Sequence, residues 1–254
     1  MTKRLEGTVA LVTGASSGIG AATAHSLAAQ GATVALLARR RERLEELAGA
    51  IRAEGGTALV VEADITDRQR AEEAVERVVG ELGRLDTLVN NAGLMHIAPV
   101  ANASVEEWDQ MLQINVQGLL YMTRAALPHL LRAAEDSPRR VADLVNISST
   151  AGRVARPGTA VYNLTKYGLN GFAEALRQEV MQNRVRVSVI EPGTVDTELS
   201  SHLSDGVRQA VEAQIKDMEL LRPEDIADAV TYVVTRDRRV AVNEILVRAS
   251  EQTW

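Results

Sequence analysis

From Thr8 to Val12 the chain is short-branched and apolar, and it runs straight into Thr13-Gly14-Ala15-Ser16-Ser17-Gly18-Ile19-Gly20 and then a helical pattern from Ala21 to Gln30. Strand, glycine-rich turn and helix in that order leave few folds open. An uninterrupted apolar strand reads as buried on both faces, which is the habit of parallel sheets covered by helices. Glycines in the turn let the backbone approach an anion held at the helix N-terminus. The spacing is G-x-x-x-G-x-G, one residue longer in its first gap than the commoner G-x-G-x-x-G, and a tight turn without a ligand would also accept these glycines.

The alternation continues along the chain. Strands are predicted at Thr33 to Leu37, Ala58 to Val61, Thr87 to Asn90 and Val141 to Ile147, and helices at Asp67 to Leu82, Ser104 to Asn115 and Gly118 to Arg132. A charged helix extends to Glu54 after Arg39-Arg40-Arg41, and Ala133 to Arg140 reads as a polar surface loop. Repeated βα units imply an α/β fold, a doubly wound parallel sheet of about seven strands with helices on both faces. No serine- or proline-rich linker divides the 254 residues, so residues 1–254 are expected to form one domain, with a variable segment over about 194–221.

In such a sheet, ligands lie beyond the carboxyl ends of the strands. Those positions carry Asp64-Ile65, Asn90-Asn91-Ala92-Gly93, Ser148-Ser149-Thr150 and Pro192-Gly193-Thr194, each also a plausible strand-ending turn. At the end of the second strand, about 20 residues beyond the glycines, an NAD site places an acid on the ribose 2′-hydroxyl. This chain has Arg39 and Arg40 there. Arginine suits a 2′-phosphate instead, which favours NADP(H), with Ser16 able to add a hydrogen bond.

Tyr162 and Lys166 stand four residues apart in a helical segment with no breaker, and so share a face. An ammonium beside a phenol favours the phenolate, so Lys166 is expected to lower the Tyr162 pKa. The tyrosine then becomes a usable proton donor and acceptor.

Composition closes other routes. The chain has no cysteine, and its four histidines (His25, His96, His129 and His202) lack ligand spacing, so no metal site is expected. A net charge of −6 with interspersed basic residues argues against a nucleic-acid surface. No run of about 18 apolar residues suggests a membrane span, and the N-terminus lacks a signal-peptide pattern, which gives the expectation of a cytoplasmic protein.

With these residues in that order and spacing, the chain resembles the short-chain dehydrogenase/reductase family over essentially its whole length. The resemblance implies that Tyr162 is the general acid/base, Ser149 hydrogen-bonds the substrate oxygen, and Lys166 holds the nicotinamide ribose. It implies that Asn115 fixes a water linking Lys166 to solvent. Gly14, Ser16, Ser17, Gly18, Ile19 and Gly20 would form the cofactor loop, with Arg39 and Arg40 beside it. Asp64 and Ile65 would flank the adenine, Asn91, Ala92 and Gly93 would line the cofactor channel, and Pro192, Gly193, Val195 and Thr197 would hold its carboxamide and phosphate side.

One departure stands out. Many members end in a glycine-rich V-D-G-G segment, whereas this chain reads Val242-Asn243-Glu244-Ile245-Leu246-Val247-Arg248-Ala249-Ser250. That ending, with Tyr121 to Pro128 and Ile190 to Gly193, resembles the NADP-dependent 3-hydroxy acid (serine/allo-threonine) dehydrogenases. The stretches Ala151 to Val154, Arg177 to Val180 and Thr197 to Leu199 resemble the clavulanate dehydrogenases still more.

The expected activity is reversible NADPH-dependent reduction of an aldehyde or ketone. Two alternatives stand beside it: an NADP-dependent 3-hydroxy acid or serine dehydrogenase, and a non-catalytic NADP-binding regulatory protein. Substrate contacts are expected from Ser149, Tyr162, Met95, His96 and Arg153, with Arg156 a second candidate for a substrate carboxylate. Thr197 to Gln214 is predicted to form an amphipathic helical cover. The resemblance also implies a homotetramer, and Gly168, Gly171, Ala173 and Ala175 on the Tyr162 helix would let a partner helix approach or else pack inward.

Overall fold

A computed structural model of the chain describes residues 3–199, 203, 205–216 and 218–253. Its centre is a seven-stranded, all-parallel sheet in the order β3-β2-β1-β4-β5-β6-β7. The strands are β1 (Val9–Thr13), β2 (Thr33–Ala38), β3 (Thr57–Glu62), β4 (Thr87–Asn90), β5 (Ala142–Ile147), β6 (Val185–Pro192) and β7 (Glu244–Val247). All residues of β1, β4, β5 and β6 are buried, as strands covered on both faces must be.

The helices are α1 (Gly18–Ala29), α2 (Arg41–Ala53), α3 (Arg68–Leu82), α4 (Val105–Leu112), α5 (Leu119–Asp136), α6 (Ala160–Val180), α7 (Asp205–Ile215) and α8 (Pro223–Val234). One face of the sheet buries Leu27 of α1, Leu44 of α2 and Val230 of α8. The other buries Val78 of α3, Leu130 of α5 and Leu176 of α6. The strand order reverses between β1 and β4, so their carboxyl ends part there and open a crevice.

Two expectations about the helices change. The predicted helices 104–115 and 118–132 are joined by a π-helical turn, Gln113–Gly118, into one continuous rod. The expected loop from Ala133 to Arg140 begins as helix, because Ala133 and Ala134 face the core and hold α5 in register to Asp136.

Buried charge ties the far end of the sheet. Asp143 on β5 and Arg186 on β6 are register partners, and Arg186 Nε donates to Asp143 Oδ1 at 2.7 Å. Arg139 donates to the other carboxylate oxygen at 3.0 Å.

Candidate active site

The carboxyl ends of the strands open into a cleft of about 1610 Å³. Ligand pockets for one small molecule span about 300–1,000 Å³, so this volume admits something larger, or two ligands side by side.

One end of the cleft is built by the loop between β1 and α1. Thr13 Oγ1 accepts from the amides of Asn91 and Ala92, each at 3.0 Å, and Asn91 Nδ2 donates to the Thr13 carbonyl at 2.9 Å. The ends of β1 and β4 are thereby stitched together. A Cβ on Gly20 would overlap the Gly14 carbonyl oxygen and lie 2.5 Å from Asn91 Nδ2, so the close turn demands glycine there. Ser17 caps α1 without a hydrogen bond between its side chain and the helix amides, which leaves those first amides without a capping partner. That is an anion seat by backbone geometry and dipole alone.

Arginine completes it. Arg40 Nη2 donates to Ser16 Oγ at 3.0 Å and Ser17 Oγ at 2.8 Å. Arg39, the residue singled out at the strand end, is more exposed and lies 3.9 Å from Asp64. Both arginines line the cleft, as do Gly14, Gly18, Ile19, Asp64 and Ile65. Asp64 Oδ1 accepts from the Thr66 amide at 3.0 Å and hydroxyl at 2.8 Å, fixing the turn after β3.

The middle of the cleft holds Ser149, Tyr162 and Lys166. Ser149 lies two residues beyond β5 and accepts from the Ala151 amide at 3.1 Å, which turns the chain into a 3₁₀ segment beneath α6. Tyr162 follows in the first turn of α6, where the Ser149 hydroxyl is near enough to favour its phenolate. Lys166 lies one turn on, with Nζ 2.9 Å from the Ile147 carbonyl and 5.7 Å from the centre of the Tyr162 ring.

The electrostatics reverse one expectation. Burial pushes the Tyr162 phenol up to about 12, against a smaller lowering by Ser149, and Lys166 does not enter. Burial also pushes the Lys166 ammonium down to about 8. Desolvation disfavours both charged forms, and the ammonium bonds the Ile147 carbonyl instead of the phenol oxygen.

Asn115 sits in the π-helical turn, a feature often found at functional sites. Its side chain accepts from the Leu94 amide and donates to the Leu94 carbonyl, both at 2.8 Å, and donates to Thr165 at 3.2 Å. It clamps the loop after β4 to α6, one residue from Lys166. Gly93 lies between them, its Cβ direction 3.4 Å from Asn115 Oδ1 and 4.0 Å from Lys166 Nζ.

The cleft lining also includes the apolar side chains of Leu94, Met95, Ile97, Val154, Leu199 and Leu203. Two expected substrate residues are elsewhere. Arg153 donates to Glu191 at 2.6 Å and Glu244 at 2.5 Å, because Glu191 is wholly buried and requires a cation. His96 turns to the opposite side, with Nε2 3.2 Å from Gln110 and Nδ1 3.7 Å from Glu107. Arg156 does line the cleft.

The covering segment lines the cleft from the residues after β6. Val195 pairs with Leu221 in a parallel bridge, so the segment leaves and rejoins the body at one place. Its described helix is α7, later than the predicted Thr197 to Gln214; residues 200–202, 204 and 217 lie outside the described residues.

Several residues at the site were not anticipated. Asn163 Nδ2 binds the carbonyls of Ala151 at 2.7 Å and Val154 at 3.1 Å, holding the Ser149 loop on α6. Asn170 donates to Glu191 at 2.8 Å. Gln252 Oε1 accepts from the Thr194 amide at 2.9 Å and occupies the space a Gly193 side chain would need, its Cδ 2.9 Å from that Cβ position. Glu251 accepts from the Glu219 amide at 3.0 Å, so the segment after β7 holds both ends of the cover. Among the described residues no group of three or more His, Cys, Asp or Glu is arranged to hold a metal ion.

Comparison with known proteins agrees with this geometry. The sequence model of the family described as short chain dehydrogenase matches residues 8–208. A glycine betaine reductase of Emericella nidulans is 37% identical over 248 residues, covering 98% of this chain but 19% of that much longer relative. An oxidoreductase of Staphylococcus saprophyticus, described as uncharacterized, is 34% identical, covering 96% of this chain and 97% of its own length. The closed form of a serine dehydrogenase complexed with NADP+ superposes with a TM-score of 0.88 at 35% identity, over 97% of both chains.

Proposed function

Because this chain belongs to the short-chain dehydrogenase/reductase family of oxidoreductases, we propose that it reduces an aldehyde or ketone to the alcohol with NADPH, reversibly, through Ser149, Tyr162, Lys166 and Asn115. The observation that carries the reading is that Ser149, Tyr162 and Lys166 meet in the wall of the same cleft that also holds the Ser16, Ser17 and Arg40 seat.

The cleft fits a phosphorylated dinucleotide. Backbone amides at the start of α1 suit the pyrophosphate, and Arg39, Arg40 and Ser16 suit a 2′-phosphate. Asp64 and Ile65 would flank the adenine, Asn91 to Gly93 would line the cofactor channel, and Pro192, Gly193, Val195 and Thr197 would hold the carboxamide and phosphate side. The NADP+ complex of the serine dehydrogenase supports this assignment. When bound, NADPH supplies the hydride.

The chain's own residues manage the oxygen. Ser149 and Tyr162 hold the substrate carbonyl by two hydrogen bonds, which strengthen as negative charge grows on oxygen. Tyr162 then donates its proton; a phenol held protonated by burial is suited to that task. Lys166 carries the positive charge that offsets the nascent phenolate, and Asn115 holds the neighbouring loop in place for reprotonation through water. The apolar wall keeps bulk water from the reacting carbon.

A second reading, oxidation of a 3-hydroxy acid with NADP+, is favoured by the serine dehydrogenase likeness and by Arg156 in the cleft. A non-catalytic binder has no use for a buried lysine beside a buried tyrosine. We further assign the chain to the cytoplasm and to a homotetramer. Of the small residues on α6, Gly168, Gly171 and Ala175 are exposed beside Leu164, and Cβ atoms at Gly168 and Gly171 would meet open space, whereas Ala173 packs inward into the core.

The test is the loss of NADPH absorbance against aldehydes, ketones and 3-oxo acids, with NADH in parallel and the reverse reaction on serine and 3-hydroxy acids. NADPH-selective reduction supports the first reading. Turnover confined to NADP+ and hydroxy acids favours the second, and tight NADPH binding without turnover of any panel member favours a binder.

A further inference from the structure

The arginine that completes the anion seat already holds an anion. Arg40 Nη2 faces Ser16 and Ser17, and its Nη1 donates to Glu198 Oε2 at 2.8 Å. The other Glu198 oxygen accepts from Arg43 at 2.7 Å. Glu198 belongs to the covering segment and follows Thr197, whose methyl lies 3.0 Å from the Cβ position of Gly18 at the start of α1. Both Glu198 and Arg40 line the cleft. One carboxylate therefore spans two guanidinium groups where the cover crosses the glycine-rich loop.

We propose that Glu198 is a cofactor-selectivity residue, its carboxylate occupying Arg40 in competition with the 2′-phosphate of NADPH. The inference rests on the functional reading above, since it takes that seat to be the 2′-phosphate site. Arg39 lies beside Asp64, which leaves Arg40 and Arg43 to Glu198, and a phosphate dianion with a retained Glu198 exceeds the charge of those two guanidinium groups unless the acid is shared or moved to Arg43. The two guanidinium groups, Arg40 foremost, hold the Glu198 carboxylate down at about 2, so it is ionised at any physiological pH and the competition is permanent. NADH carries no such phosphate and has nothing to gain from displacing the acid. Glu198 thus lowers NADPH affinity specifically and couples occupancy of the phosphate seat to the cover that carries it.

The test is fluorescence titration of NADPH and NADH into wild type, Glu198→Gln and Arg40→Gln, with 2′-AMP and 5′-AMP as probes of the seat alone. Glu198→Gln keeps the shape and removes the charge of an exposed pair, so NADPH and 2′-AMP should bind about five- to tenfold tighter while NADH and 5′-AMP change less than about twofold. Arg40→Gln should abolish most of the preference for NADPH. An unchanged NADPH to NADH ratio in Glu198→Gln overturns the proposal, as does equal weakening of both, which would make Glu198 a brace for the cover. The titrations read binding alone, so the predicted ratio in a chain that reduces no carbonyl supports this proposal while removing the catalytic one. Failure of wild type to bind NADPH overturns both.

Discussion

The Lys166 ammonium nitrogen stands 5.7 Å from the centre of the Tyr162 ring, while its hydrogen bond goes to the Ile147 carbonyl. With the lysine held down to about 8 and the tyrosine up to about 12, the site is a protonated pair at neutral pH. Carbonyl reduction should have a kcat/KM that is level through pH 7 and falls above about pH 8 as Lys166 loses its charge; such a limb belongs to the pair. A rate rising steadily from pH 8 to 10 would contradict this. Stability follows the same groups with opposite signs. Between about 8 and 10.5 the unfolded chain holds the lysine proton more tightly, so stability rises with pH, and between 10 and about 12 the folded tyrosine keeps its proton, so stability falls.

Gln252 is expected to position the cover. Gln252→Leu removes the acceptor for the Thr194 amide, whereas Gln252→Glu retains an oxygen there. An unsatisfied part-buried amide costs about 1–3 kcal/mol, so KM in the leucine variant should rise about tenfold with little change in kcat, and the glutamate variant should recover most of it. Equal damage in both variants would mean that packing against Gly193, and not the hydrogen bond, is what counts.

Gly20→Ala forces a Cβ against Asn91 and the Gly14 carbonyl. Overpacking of that kind costs about 1–3 kcal/mol, here at the seam between β1 and β4, so a lower melting temperature and weaker NADPH binding should appear together. Thermal unfolding with and without NADPH checks it; a variant that melts and binds like wild type would show the loop to be more yielding than its contacts imply.

How much of this was legible beforehand depends on distance along the chain. Strand, glycine loop and helix are adjacent, Tyr162 and Lys166 are one helical turn apart, and strand-end residues are found once the alternation is read. These local signals located the sheet and the middle of the site. The fates of Arg153 and His96 were not local: Glu191 and Glu244 lie 38 and 91 residues from Arg153, and a buried acid's demand for a cation leaves no mark in the sequence. Gln252 meets Thr194 across 58 residues for the same reason. The Tyr162 pKa runs against its spacing because a four-residue interval reports a neighbour's charge but not the depth of burial, and burial prevails.

Asp143 offers a stability test away from the cleft. Asp143→Ala leaves Arg186 buried without its carboxylate, and breaking a buried pair in this way costs about 3–5 kcal/mol. Chemical denaturation should show that loss, while activity per folded molecule stays near wild type. A loss below about 1 kcal/mol would mean that the carbonyls of Val234 and Val240 suffice for the guanidinium.

The central claim is that Tyr162 gives the proton. Tyr162→Phe keeps the ring and removes the hydroxyl, so NADPH-dependent reduction of the best carbonyl substrate should fall by about 100- to 10,000-fold, while NADPH binding measured by fluorescence stays within about twofold of wild type. Turnover persisting near the wild-type rate in that variant, with NADPH bound normally, would contradict the account.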